Sequence, residues 1–300
     1  MKLLVTGASG LLGSKIAKLA TLAGYKTYSG YFIHQPKNGE PVKIDLKAHE
    51  SVRKTIQDAN ADIIIHCAAL TDVDTCEVNR DLAKTINVDG TKSVIKGAND
   101  SGSFLAYIST DYVFDGIKGN YTEEDEPKPV NFYGYSKLLG EKAIADQSEN
   151  YLITRTSVIY GDTPASGKIN FALWLIEKLK ANKEIKILTD QFSSPTLNTN
   201  AAKMILEACE KKLNGTYHMA GASRISRYDF AVRLAEKLNL DTSLIKKART
   251  EEMQWKAPRP RDSSLNTLKT QNTLETKPMN LDESLIRLKE ELELASRNND

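Results

Sequence analysis

The chain has 300 residues, 40% of them hydrophobic, enough for one large globular domain or a domain with a smaller lobe. Its 41 lysines and arginines against 39 aspartates and glutamates leave a net charge of +2, so charge gives no reason to expect nucleic acid or an anionic membrane as partner. Three cysteines, Cys67, Cys76 and Cys209, are odd in number and lack Cys-x-x-Cys spacing, which argues against a disulfide framework or a zinc site. The apolar run after Met1 is too short for a signal peptide and no stretch reaches the length of a membrane span, so the expected compartment is cytoplasmic.

Short β-branched or aromatic runs alternate with longer stretches of helical period. KLLVT (2–6) reads as the first strand. After it Leu12, Ile16, Leu19 and Leu22 recur at helical spacing, and Gly24 supplies a stop. KTYSGYF (26–32) is the second strand, a short third precedes Asp45 in KIDL, and ADIIIHCAA (61–69), FLAYIS (104–109) and YLITRTS (151–157) continue the series. Strands alternating with helices predict βαβ units and an α/β fold, a doubly wound parallel sheet with helices on both faces. The first strands are apolar nearly throughout, as burial on both faces requires.

Beyond residue 157 the regularity loosens. DTPASGK (162–168) and DQFSSPTLNTN (190–200) read as loops, EIKIL (184–188) and TYHMA (216–220) as strands. Helices are expected near 169–182, 199–211 and 226–239, and 248–267 reads as a long loop, ordered or mobile. Leu281, Leu285, Leu288 and Leu292 then form one stripe behind Asn280, a cap for a closing helix that runs to Arg297. The expected organisation is a dinucleotide-binding domain over 1–160, with about 190–215 returning to it, and a smaller C-terminal α/β substrate lobe from about 161–189 and 216–300.

TGASGLLG (6–13) lies between the first strand and the first helix, with Gly7, Gly10 and Gly13 spaced G-x-x-G-x-x-G. Such glycines permit a tight turn, close approach to a pyrophosphate and close packing of helix on strand, so the sheet is expected to be of Rossmann type. The helix N-terminus offers free N–H groups to phosphate. Ser9, Leu11 and Leu12 complete the cofactor-side loop. An acidic residue about twenty positions on would grip the adenosine ribose and favour NAD. Here the second strand ends near Gly30 and Tyr31, with His34 and Lys37 after it, so a 2′-phosphate is accommodated and NADP(H) is favoured over NAD(H). Asp45, next to Leu46, could accept a hydrogen bond from the adenine amino group; a loop carboxylate or helix cap is the equal alternative.

NFYGYSKLLGEK (131–142) places Tyr133 and Lys137 four apart, on one helical face, while Tyr135 points elsewhere. A lysine ammonium beside a phenol is expected to pull its pKa down from about 10 and make it a usable proton donor and acceptor.

TGASGLLG, HCAA (66–69), ISTDYVFDG (108–116) and YGYSK (133–137), in that order, resemble the extended short-chain dehydrogenase/reductases. Within them the chain is most similar to the dTDP-4-dehydrorhamnose reductases. The likeness continues through RTSVIYG (155–161), DQFSSPT (190–196), GTYHMAG (215–221) with Ser226 and Tyr228, and APRPRDSSLNT (257–267), and so covers nearly the whole chain.

The resemblance implies a catalytic set of Thr110, Tyr133 and Lys137. Tyr133 would protonate the substrate carbonyl oxygen, Thr110 would hydrogen-bond it, and Lys137 would also bind the nicotinamide ribose. Ala68 and Ala69 would pass close to the cofactor, with Cys67 beside them, although His66 and Cys67 read as packing residues rather than catalysts. Thr71, Asp111, Tyr112, Val158 and Arg259 are the substrate-side candidates, Val158 at the nicotinamide end and Arg259 either on a nucleotide diphosphate or a surface arginine of its loop. Asp111 touches a sugar hydroxyl or is a buried structural carboxylate. Related dehydratases carry Thr-Asp-Glu, whereas this chain has Thr110-Asp111-Tyr112, which favours carbonyl reduction over loss of water.

Two departures bear on specificity: Val158 stands where the rhamnose-pathway reductases commonly have tryptophan, and Tyr31 where they often have an acid. The implied activity is NADPH-dependent reduction of a nucleotide-linked 4-keto-6-deoxy sugar, yielding an alcohol such as dTDP-L-rhamnose. The alternatives are an NADP-binding regulatory subunit similar to the β subunit of methionine adenosyltransferase, or another nucleotide-sugar reductase or epimerase. A homodimer is the expected assembly. No carboxylate cluster suggests a metal.

Overall fold

In the computed structural model, which describes residues 1–165 and 168–297, the chain opens with β1 (Lys2–Thr6), α1 (Leu11–Leu22), β2 (Lys26–Tyr31) and β3 (Glu40–Lys43). Next come α2 (His49–Ala59), β4 (Ile63–His66), α3 (Val73–Val78), α4 (Arg80–Lys84) and, after one π turn at Thr85–Asp89, α5 (Gly90–Ser101). The core βαβ series ends with β5 (Phe104–Thr110), α6 (Phe132–Gln147) and β6 (Tyr151–Thr156). The later part comprises β7 (Ile159–Tyr160), α7 (Phe171–Lys180), β8 (Ile185–Leu188), β9 (Phe192–Ser193), β10 (Thr196–Leu197) and α8 (Asn198–Glu210). It finishes with β11 (Gly215–His218), β12 (Ile225–Ser226), α9 (Arg227–Lys237), β13 (Ile245–Ala248), α10 (Leu268–Thr273) and α11 (Leu281–Arg297).

Seven parallel strands form the central sheet in the order β11-β6-β5-β4-β1-β2-β3. The two-residue period of each strand divides its apolar side chains between two cores. Leu3, Val5, Ile63 and Ile65 face α1 and α8, whose Ile16, Ala17, Met204 and Ile205 cover one side. Leu4, Ile64, Leu105 and Tyr107 face α2, α5 and α6 on the other. Register keeps these layers aligned, with Leu3 opposite Ile63 and Val5 opposite Ile65. The strand order turns back between β1 and β4, and the carboxyl ends there open onto the crevice where such sheets bind ligands.

A third core, centred on Tyr160, Leu175, Phe230 and Leu285, builds the lobe from α7, α9, α11 and the parallel pair β8-β13. The strand expected at 184–188 therefore belongs to the lobe. The boundary at 215 needs correction: β11 pairs with β6 through His218, so residues 216–218 belong to the central sheet. The expected strand 61–69 stops at His66, because Cys67–Thr71 turns away and is pinned there. Asn87 accepts the Leu70 N–H at 2.7 Å and donates to the Leu70 carbonyl at 3.0 Å. Asn280 does cap α11, accepting from the Glu283 N–H at 3.0 Å while Glu283 accepts from the Asn280 N–H at 2.9 Å. The loop expected at 162–168 lies partly outside the described residues, at 166 and 167. No helix among the described residues is long and apolar enough to cross a membrane.

Candidate active site

A cavity of about 950 Å³ runs from the glycine loop, over the carboxyl ends of β1, β4 and β5, to the lobe. Its cofactor end is shaped by backbone. Gly7 has φ +66°, and a Cβ there would lie 2.8 Å from the Ala68 nitrogen; one on Gly13 would lie 2.3 Å from the Gly7 carbonyl oxygen. Gly10 caps α1 without a side-chain hydrogen bond, which leaves first-turn N–H groups for a phosphate. These features fit a dinucleotide pyrophosphate.

Of the residues expected at the cofactor, Gly7, Ser9, Gly10, Leu11, Leu12, Gly13, Tyr31, His34, Asp45, Leu46, Cys67, Ala68 and Ala69 all line this cavity. Lys37 does not; it is exposed on the loop beyond. Lys47, which the sequence did not single out, lines it instead and lies 5.5 Å from the centre of the Phe32 ring. His66 is a buried packing residue between the Thr6 and Thr91 hydroxyls, at 2.7 and 3.1 Å, and burial pushes its pKa down to about 3.

The catalytic candidates meet on one wall. Thr110 ends β5, and α6 begins at Phe132 because Asn131 accepts the Gly134 N–H at 2.9 Å. Tyr133 is thus in the first turn, half-buried, with Lys137 one turn on and Tyr135 exposed outside. The Thr110 hydroxyl is near enough to the Tyr133 phenol to oppose a rise in its pKa. It donates to Asp111 Oδ1 at 3.1 Å and accepts from the Tyr112 N–H at 3.2 Å. Burial pushes the Tyr133 pKa up, opposed by the Thr110 hydroxyl. Burial also pulls the Lys137 ammonium down to about 7, opposed by the charge of Glu141. The expected depression of the phenol by lysine is corrected here: desolvation dominates, and it keeps the phenol protonated and able to donate.

Asp111 is 2% exposed and accepts from Ser157 and Ser263 as well as Thr110. It is a buried carboxylate joining the ends of β5 and β6 to the 257–267 loop, and burial raises its pKa. Val158 has φ +36°, a strained conformation for a β-branched residue, on the cavity wall beside Ser157. Thr71 and Tyr112 also line the cavity. Arg259 does not: its Nη1 donates to Asp74 at 3.0 Å and to the Ala257 carbonyl at 2.7 Å, beside a separate shallow groove.

Two functional neighbours escaped the sequence reading. Asn87, within the π turn, donates to the Ser136 hydroxyl at 2.9 Å and so ties the 67–71 loop to α6; mid-helix asparagine carries no sequence signal of this. Arg227, on the lobe side, opens α9 behind a Ser226 cap and reaches the cavity; nothing in the sequence marked it.

The family described as RmlD substrate binding domain matches residues 1–294. A probable low-salt glycan biosynthesis reductase of Haloferax volcanii is 34% identical over 289 residues, 95% of this chain and 96% of that protein. The methionine adenosyltransferase 2 subunit beta of Mus musculus is 32% identical over 274 residues, 89% of this chain and 81% of that protein. A crystal structure of dTDP-4-dehydrorhamnose reductase from Bacillus anthracis in complex with NADP superposes with TM-score 0.87 at 32% identity, covering 97% and 99% of the two chains.

Proposed function

The chain belongs to the RmlD substrate binding domain family, NAD(P)-dependent oxidoreductases with the extended short-chain dehydrogenase/reductase fold, and from that premise we propose that it reduces a nucleotide-linked 4-keto-6-deoxy sugar with NADPH. The observation that carries this reading is the convergence of Thr110, Tyr133 and Lys137 on the wall of the cavity that the glycine loop closes at its other end. A bound nicotinamide supplies the hydride. Tyr133, kept protonated by burial, donates its proton to the carbonyl oxygen as that oxygen gains charge. Thr110 turns its hydroxyl from Asp111 to the same oxygen. Lys137 holds the ribose and stabilises the phenolate left behind. Asp111 stays held by the Ser157 and Ser263 hydroxyls when Thr110 turns away, so it is a poor proton-transfer group for a dehydration, and position 112 is tyrosine rather than glutamate. His34 and Lys47 on the adenosine wall support a 2′-phosphate, and hence NADP(H).

The test is NADPH and NADH oxidation with dTDP-4-keto-6-deoxy-L-lyxo-hexulose supplied by coupled upstream enzymes. Turnover with a preference for NADPH is expected. The likeness to methionine adenosyltransferase 2 subunit beta supports a second reading, an NADP-binding regulatory subunit. Tight NADP binding without turnover on any 4-keto sugar nucleotide would favour it.

A further inference from the structure

The cavity has five basic side chains on its wall, and four are accounted for. Lys137 belongs to the catalytic set. Lys47 and His34 lie at the adenosine end, and Lys168 pairs with Asp72 at 3.7 Å. Arg227 is the fifth, and among the described residues no carboxylate forms an ion pair with it.

Its setting is nonetheless built. The Gln191 side chain is 4% exposed and donates through Nε2 to the Pro260 carbonyl at 3.5 Å, which turns its Oε1 to accept from Arg227 Nε. The backbone repeats the tie, with the Arg227 N–H donating to the Gln191 carbonyl at 3.0 Å. The Phe171 ring covers one face of the guanidinium, 5.1 Å from its centre. Fixing Nε and one face leaves the two terminal nitrogens as a fork. Arg227 shares the cavity wall with Tyr112, whose ring meets the Tyr133 ring edge to face at 6.0 Å. A half-buried, unpaired guanidinium held rigid on a cavity wall suits bidentate contact with phosphate oxygens.

Resting on the nucleotide-sugar reading above, we propose that Arg227 anchors the diphosphate of the substrate, at the far side of the sugar ring from the carbonyl that faces Tyr133. Arg259, the residue expected in that role, is committed to Asp74. The cofactor pyrophosphate would sit on the glycine loop, away from the Phe171 and Tyr112 that share the cavity wall with Arg227.

The test is calorimetric binding of dTDP and of thymidine to protein saturated with NADP, with Arg227→Gln and Arg227→Lys compared to wild type. Arg227→Gln is expected to weaken dTDP by about ten- to a hundredfold and to leave thymidine and NADP affinities unchanged, as loss of a charged hydrogen-bonding partner predicts. Arg227→Lys, which keeps the charge but not the fork, should recover part of that loss and serves as the readout if the glutamine variant does not fold. Unchanged dTDP affinity in both variants overturns the proposal. So does a fall in NADP affinity in place of dTDP, which would assign the guanidinium to the cofactor. Failure of wild-type protein to bind dTDP at all would instead sink the nucleotide-sugar reading and the anchor with it.

Discussion

Lys137 is 3% exposed, with its ammonium 4.0 Å from the centre of the Tyr107 ring, and this environment lowers its pKa to about 7. Unfolded, a lysine titrates near about 10.4. Between those values the unfolded chain holds a proton that the folded chain has released, so this residue makes stability rise with pH across that window. Below about pH 7 both states are charged and its contribution is flat. Denaturant stability of the cofactor-free protein, measured from pH 6 to 10, should therefore climb relative to Lys137→Met by up to about 1.4 kcal/mol per pH unit. Parallel curves would show that the ammonium is solvated as in water. The Tyr-x-x-x-Lys spacing was legible because four residues make a helical turn. The charge states were not, because they depend on burial, with Tyr107 packed on the ammonium, and that residue is distant in sequence.

At the scale of elements, the glycine loop is the part most directly written in the chain. Gly13 lets α1 approach so closely that a Cβ would meet the Gly7 carbonyl oxygen at 2.3 Å, a rigid backbone atom. Gly13→Ala should displace the start of α1 from the turn, and NADP affinity measured by fluorescence titration should fall at least about tenfold, since first-turn N–H groups act only at close range. Affinity within twofold of wild type would mean that the loop does not hold the pyrophosphate. Long apolar strands and the leucine stripes of α1 and α11 were readable from period alone. The π turn at Thr85–Asp89 was not, since nothing in its composition separates it from the helices it joins. Arg259 was misplaced for a related reason: a guanidinium in a loop reveals its chemistry but not its partner, here Asp74.

Across the whole molecule, the lobe is fastened to the dinucleotide-binding half by buried charge. Lys15 on α1 contacts Asp162 at 2.8 Å and Glu291 on α11 at 3.3 Å, and Glu291 also accepts from Thr199 of α8 at 2.9 Å. All three charged side chains are nearly buried, so removing the lysine strands Asp162 and leaves Glu291 with Arg287, at 3.0 Å, and Thr199. Lys15→Met should cost about 3–5 kcal/mol in urea denaturation, whereas a loss below about 1 kcal/mol would show the cluster to be solvated. That link was invisible in the sequence, where its members are 147 and 276 positions apart. The doubly wound sheet was legible from alternation of strand and helix, but the end of β11 at His218 was set by pairing with β6. The central claim, that this architecture presents Tyr133 as the acid of a carbonyl reduction, is tested most directly by Tyr133→Phe in the coupled NADPH-oxidation assay, with NADP affinity measured alongside. The account predicts loss of about a hundredfold or more in turnover with cofactor affinity nearly unchanged; near-normal turnover in the phenylalanine variant would contradict it.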